Sequence, residues 1–387
     1  MGSVASLKTM RASALAIMAT RSQDQDLVAD VASLHGVDGP ASWRGNRGHG
    51  YRHDLQTCQA MPSFGWHPWF SYQMYDDVVP EPTYKAPPGS ESSTAFLLDA
   101  KKAHYQVVLA PSPQDDQFIA SLPTPIPLSS FISSTRSKLS SYPYALVGEI
   151  GLDRAFRLPE NWDSALAAAR DDGLTPGGRE GRRLSPHRVQ MQHQQAVLRA
   201  QLRLAGEVGR PVSLHGVDAH GILYDTVSSC WKGHERHILS RRERRNIAPG
   251  AEEDDESDDG NENSTGGKPY PPRICLHSYS GPVESLSQWL RPAIPAKIYF
   301  SFSTAVNLSR ETTRAKFIQV VSALPEDKIL VESDLHVAGE EMDAALEDMY
   351  RRVCHIKGWG LEEGVRKIGN NFENFVFGET RAAHVVH

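Results

Sequence analysis

The sequence predicts an α/β protein built as a TIM-like (β/α)8 barrel, and three observations predict it. Short apolar or β-branched runs recur along the 387-residue chain, each followed by a stretch of helical character. That alternation is the pattern of a parallel sheet. Residues able to bind metal close several of the runs. They are spread over many runs, as at the C-terminal face of a barrel, whereas a doubly wound sheet gathers its site at one switch point.

Taken in order, the runs are "ALAIMAT" (14–20), "MPSFGWHPW" (61–69), "ALVGEIGLD" (145–153), "RPVSLHG" (210–216), "RICLHSYSG" (273–281), "KIYFSFSTA" (297–305) and "KILVESDLH" (328–336). "YQVVLA" (105–110) is also apolar, but Pro111 and Pro113 crowd it, so it is expected as a loop or edge piece. A helix is expected over about 187–208, with Val197, Gln201, Leu204 and Val208 near a helical period and Gly209 and Pro211 ending it. A second is expected over 340–357, with Met342, Leu346, Met349, Val353 and Ile356 on one stripe. Both stripes read as core packing. Pro- and Ser-rich stretches at 80–104 and 111–144, and the segment 154–186, interrupt the rhythm. Residues 232–272 carry "RRERR", then "EEDDESDD", then "NENSTGGKPYPP". Such a segment buries too little apolar area to offset its ordering entropy, so a disordered charged insertion is expected within one barrel spanning 1–387.

A net charge of −6 argues against nucleic-acid binding through overall positive charge, but a local basic groove is compatible with it. Cys58, Cys230, Cys275 and Cys354 are widely spaced and read as reduced thiols of a cytoplasmic or nuclear protein. No apolar run is long enough to span a membrane. Sixteen histidines is a high count for this length, and several follow β-type runs.

Four run ends concentrate the chemistry: Glu149 in "LVGEIGLD", His215 in "PVSLH", His277 in "RICLH", and Asp334 beside Glu332 in "ILVESD". Taken singly, each has a bland reading. An acid after a strand usually faces water, and a histidine there is usually a hydrogen-bonded structural residue. Four in succession on one ring are two imidazoles and two carboxylates. That set suits Zn²⁺, Mn²⁺ or Mg²⁺, including a two-metal site with one bridging carboxylate. Asp153 fits either a supporting acid or a helix-start acid.

"VGEIGLD", "RPVSLHG", "CLHSYSG" and "ILVESDLH", with "GWHPW" (65–69) and "IGNNFENFVFG", resemble in order the TatD family of metal-dependent deoxyribonucleases, one of the amidohydrolase-like metallohydrolase barrels. "ATRSQDQDLVA" and "SLHGVDAHGILYD" look most like a fungal branch, one member of which interacts with a subunit of the anaphase-promoting complex. The resemblance implies two divalent ions (Mg²⁺, Mn²⁺ or Zn²⁺). Glu149 would bridge them, His215 and His277 would bind one, and Asp334 would bind the other and orient the attacking water. His67 would lie near the scissile phosphate or behind the ligands, against the plainer reading of a ring fixed by Pro68 and Trp69. The implied activity is 3′-to-5′ hydrolysis of DNA phosphodiesters.

One family element is missing. The first barrel strand of the family ends in a His-x-His pair, whereas the first histidine here is His35. The chain is therefore expected to lack the first barrel strand and, with it, one of the two metal sites, leaving Glu149, His215 and His277 for residual binding. A start assigned at an internal methionine, a short isoform and a degenerate non-catalytic member all account for this. Two further functions stay open: an interaction protein on a hydrolase scaffold, and an amidohydrolase acting on a small C–N bond. The last class often carries a carboxylated lysine where Glu149 stands, which counts against it.

Overall fold

The computed structural model describes residues 3–40, 57–85, 94–162, 181–239 and 267–378. All seven anticipated runs form strands: β1 (Ala14–Met18), β2 (Gln59–Phe64), β3 (Leu146–Asp153), β4 (Val212–Val217), β5 (Arg273–Leu276), β6 (Lys297–Phe302) and β7 (Ile329–Val331). They make one parallel sheet in which sequence order is spatial order, from β1 to β7. The sheet curls into an open half-barrel, TIM-like and short of one strand. Parallel strands need long crossovers, and helices supply them, among them Met191–Glu207 between β3 and β4. That helix and Glu340–Lys357, which follows β7, form where the apolar stripes predict them.

Alternation along the strands divides the core. Val147, Ile150, Leu214, Ile274, Leu276, Phe300 and Phe302 pack in the large cluster with the surrounding helices. Met61, Leu146, Cys275, Tyr299 and Leu330 form a second cluster with Phe375 and Val376 of the last helix, Leu361–Phe377. Arg273, the first residue of β5, donates from Nε to the Phe375 carbonyl at 2.6 Å. The end of that helix thus seals the sheet at the start of its strands, leaving the strand C-termini open for a site. Burial pushes the Cys58 and Cys275 thiols up to about 12, and all four cysteines are free.

β1 and β7 are the sheet's edges, and every residue of β1 is only half-buried. Residues 3–12 tie these ends together. Leu7 is 1% exposed and packs with Met10, Val31, Ala60 and Met342, while Leu335 and Ala338 beyond β7 pack onto the same cluster. Cys58 N–H donates to the Leu7 carbonyl at 3.0 Å. Arg11 and Ala12 N–H donate to the Asp343 carboxylate at 2.8 and 3.2 Å, and Ala338 N–H donates to Ser3 Oγ at 3.1 Å. These bonds and the buried apolar pair Leu7 and Met10, each contributing about 1.5–3 kcal/mol, cover edges that otherwise invite pairing with other chains.

The Pro- and Ser-rich stretches hold more order than their composition suggests. "YQVVLA" is a loop or edge piece only at Leu109–Ala110, which pairs antiparallel with Arg188–Val189. Its first four residues end the helix Thr94–Val108. The prolines lie just beyond that helix, where they end it without breaking it, and its turn sends Tyr105 and Val108 into a separate apolar cluster with Trp66, Phe70 and Phe131. Helices also form over Asp116–Ser121 and Leu128–Ser141. Of the charged insertion, 240–266 lies outside the described residues. Its flanks are anchored: Arg236 N–H donates to the Ala293 carbonyl at 2.8 Å, and Tyr270 is buried. Among the described residues, no helix is long and apolar enough to cross a membrane.

Candidate metal centre

Glu149 reaches the site through an irregularity in β3. Val147 pairs with Val212 and Ile150 with Leu214, so β3 spends one residue more than β4 over this interval, a bulge that re-aims the side chain. The close strand approach depends on glycine. A Cβ on Gly148 would lie 2.9 Å from Ser213 Cβ, and one on Gly65 would lie 2.8–2.9 Å from Gly148 backbone atoms.

Three imidazoles converge on one oxygen of this carboxylate. Glu149 Oε1 lies 2.7 Å from His215 Nδ1, 3.4 Å from His67 Nε2 and 3.6 Å from His277 Nε2. His277 Nε2 also lies 3.1 Å from Asp334 Oδ1, so all five anticipated residues meet in one cluster at the C-terminal ends of the strands. Donor atoms of His67, Glu149 and His215 fall within 4.8 Å of one another, which is the spacing of a shared ion; His277 and Asp334 stand beside that group. Two imidazoles and a carboxylate suit a divalent ion of the Zn²⁺ or Mn²⁺ type.

Two of the histidines have a carboxylate behind them. His215 Nε2 contacts Asp153 Oδ2 at 3.0 Å, and the same oxygen accepts from Trp69 Nε1 at 2.5 Å. Asp153 Oδ1 accepts from Ala155 and Phe156 N–H at 2.7 and 2.8 Å. His277 Nδ1 lies 2.8 Å from Glu332 Oε2, an ion pair by distance with the ring N–H turned away from the line of a hydrogen bond. Glu332 is itself fixed by Ser278, whose backbone N–H donates to it at 2.7 Å. Carboxylates behind imidazoles fix ring orientation and raise ligand basicity. His67 differs. Its Nδ1 accepts from Trp69 N–H at 3.2 Å, which places the ring proton on Nε2, facing Glu149. In that tautomer His67 is a donor to the site; it would join an ion only by giving up the Trp69 N–H.

The charges follow from burial and proximity. Burial works against an anion at Glu149, but His277, His67 and His215 outweigh it and hold its pKa well below the usual carboxylate range. Burial also opposes charge on His215, yet Asp153 and Glu149 raise its pKa to about 9. His277 is raised well above its ordinary value against the same desolvation, by Glu149, Glu332 and Asp334. At His67 desolvation wins, and its pKa is lowered. Without an ion, two imidazolium rings offset part of the charge of the clustered carboxylates; a divalent cation would take their place.

The sequence alone leaves Asp153 undecided and marks no role for Glu332. Asp153 has a legible signal: it is four residues from Glu149 along one strand, hence on the same face. Nothing local marks Trp69, whose indole is brought to Asp153 from 84 residues away. The family's His-x-His strand has no counterpart among the described residues; β1 runs into Ala19 and Thr20 and offers no imidazole.

A curled parallel sheet with carboxylates and imidazoles gathered at its strand C-termini defines a TIM-like barrel of the hydrolase type. The sequence profile described as TatD related DNase matches residues 54–377, and the chain belongs to this family of metal-dependent hydrolases. It is 38% identical over 318 residues to the Cut9-interacting protein scn1 of Schizosaccharomyces pombe, covering 82% of this chain and 84% of that one. It is 27% identical over 324 residues to a Saccharomyces cerevisiae protein named as an uncharacterized deoxyribonuclease, covering 81% and 80%. The crystal structure of a TatD homologue from Escherichia coli superposes with a TM-score of 0.45 at 14% identity, over 95% of this chain and 87% of that one.

Proposed function

We propose that this chain is a metal-dependent phosphodiesterase of the deoxyribonuclease type, cleaving DNA from a 3′ end with water as the nucleophile. The observation that carries the reading is the Glu149 oxygen with three imidazoles within 3.6 Å. An ion bound there supplies Lewis acidity: it acidifies a water and neutralises phosphate oxygens, so few other catalytic groups are needed. Glu149, His215, His277 and Asp334 would hold the ion or ions. Asp153 and Glu332 keep the two histidine rings in place. His67 offers its Nε2–H to an anionic oxygen. Asp334, with its side chain 32% exposed, is the most open of the site's acids and orients the attacking water.

The test is cleavage of a 3′-labelled DNA single strand by purified protein with Mn²⁺ or Mg²⁺. Glu149→Ala and Asp334→Ala are expected to be inactive; activity surviving either change removes the assignment. A second reading rests on the relative named as a Cut9-interacting protein: this chain binds a protein partner of that kind, a cell-cycle or anaphase-promoting-complex subunit. Co-purification of a Cut9 homologue with both the wild type and Glu149→Ala is the expected result. Loss of the partner in Glu149→Ala would tie binding to the metal centre instead.

A further inference from the structure

The segment that presents His67 and Trp69 to the metal centre is a single 3-10 turn, Pro68–Gln73. The hydrogen bonds within such a turn are few and poorly aligned, so its position depends on groups outside it. Three ring N–H groups supply the hold, on three consecutive carbonyls. Trp66 Nε1 donates to the Phe70 carbonyl at 2.8 Å. His193 Nε2 lies 2.9 Å from the Ser71 carbonyl oxygen, and His104 Nε2 lies 2.8 Å from that of Tyr72. A carbonyl only accepts, so each imidazole carries its proton on Nε2. Burial keeps both rings neutral: it pushes the pKa of His104 down to about 4 and that of His193 below its ordinary value. The free Nδ1 of His104 accepts from the Thr83 hydroxyl at 2.8 Å.

The two imidazoles come from different helices, His104 from Thr94–Val108 and His193 from Met191–Glu207, and meet at the turn with ring centroids 6.0 Å apart. A polar ring in an apolar setting is costly unless it is paired, and here each is paired with the turn. The neighbour of His193 holds the other side of the site. Gln194, a buried side chain, accepts from Asp153 N–H at 2.8 Å and donates to the Asp153 carbonyl at 2.9 Å. Residues 193 and 194 thus fix the two segments that meet in the Trp69 Nε1–Asp153 hydrogen bond, and Asp153 is the acid behind His215.

We propose that His104 and His193 are positioning residues of the metal centre: by gripping consecutive carbonyls of the 68–73 turn they set Trp69 against Asp153, and so keep the His215 ring aimed at Glu149. The proposal deepens the phosphodiesterase reading and rests on it for what the centre does. Side chains one step behind a site fix its geometry in this way.

The experiment is solvent exchange of the Trp69 indole N–H, followed by NMR in EDTA and assigned with Trp69→Phe, together with Mn²⁺ calorimetry. His193→Leu and His104→Leu remove the donor. Each is expected to speed indole exchange at least about tenfold, as for one lost hydrogen bond to a buried acceptor, and to weaken Mn²⁺ binding at least about threefold. His193→Gln and His104→Gln, whose amide N–H reaches as far as Nε2, are expected to stay within about threefold of wild type in exchange. His193→Asn, whose amide stops short of the Ser71 carbonyl, is expected to behave as His193→Leu does, and it carries the test where a leucine variant does not fold. Leu7→Ala lowers stability far from the turn and is expected to leave indole exchange as in wild type, because a local opening keeps Leu7 buried. Unchanged exchange in His193→Leu and His193→Asn, equal exchange in the glutamine and leucine variants, or equal acceleration in Leu7→Ala overturns the assignment. Failure of the two ideas can be told apart. Exchange and Mn²⁺ binding as described in a protein that cleaves nothing with any metal sustain the positioning role and remove the phosphodiesterase. Cleavage by variants whose indole exchange is as in wild type does the reverse.

Discussion

Asp153→Asn tests how the carboxylates charge the site. In the metal-free protein His215 holds its proton up to about 9 against an ordinary 6.5, because Asp153 and Glu149 outweigh desolvation. At neutral pH that difference stabilises the folded state by on the order of 2–3 kcal/mol. Asp153 supplies one of the two carboxylates, so its removal is expected to cost on the order of 1–2 kcal/mol through His215 alone. A pH-independent cost of about 1–3 kcal/mol accompanies it, because Trp69 Nε1–H loses its charged acceptor. The sign distinguishes the parts. A raised folded-state pKa stabilises fully below 6.5, and that stabilisation is lost as pH rises through about 9. Urea unfolding in EDTA is therefore expected to show a wide gap between wild type and variant at about pH 6 and a narrower one at about pH 10. The His215 imidazole, followed by NMR, should titrate lower in the variant. A gap of equal size at both ends of the pH range, with His215 titrating as in wild type, refutes the reasoning.

Divalent metal must displace protons from His215 and His277, both raised above their ordinary value, so Mn²⁺ affinity should rise with pH up to about 9. Calorimetry in buffers of different ionisation enthalpy should register the released protons; pH-independent affinity contradicts it. Gly65→Ala should lower Mn²⁺ affinity and cleavage together, because the new Cβ would press within 2.9 Å of the Gly148 backbone and shift Glu149; unchanged metal affinity counts against the bulge as the placing device. Leu7→Ala should cost about 2–5 kcal/mol in urea unfolding and increase self-association on gel filtration, since Leu7 is buried where residues 3–12 join the ends of the sheet. A cost under about 1 kcal/mol would show that the segment contributes little there.

The seven strands and the two long helices were legible because burial imposes periodicity, and a fully buried parallel strand has no other pattern to follow. The ligand-type residues Glu149, His215, His277 and Asp334 were legible for a related reason: each is the polar residue at which an apolar run gives out. "YQVVLA" misled because a short apolar run fits a strand or a helix end equally, and only the packing of Tyr105 and Val108 against Phe70 and its neighbours selects the helix.

What the sequence by itself determined is the order of elements, the parallel sheet, the ring of strand-end imidazoles and carboxylates and the absence of an early histidine pair. The tertiary structure alone decided that three imidazoles share one Glu149 oxygen, that Asp153 and Glu332 stand behind two of them, that His67 presents a donor, and that residues 3–12 join β1 to the region beyond β7. The physical reason is range. Burial periodicity and strand ends are local properties, written within a few residues. A cluster of imidazoles and carboxylates and a segment that joins the ends of a sheet depend on distances between segments tens to hundreds of residues apart, and only the folded chain sets those distances.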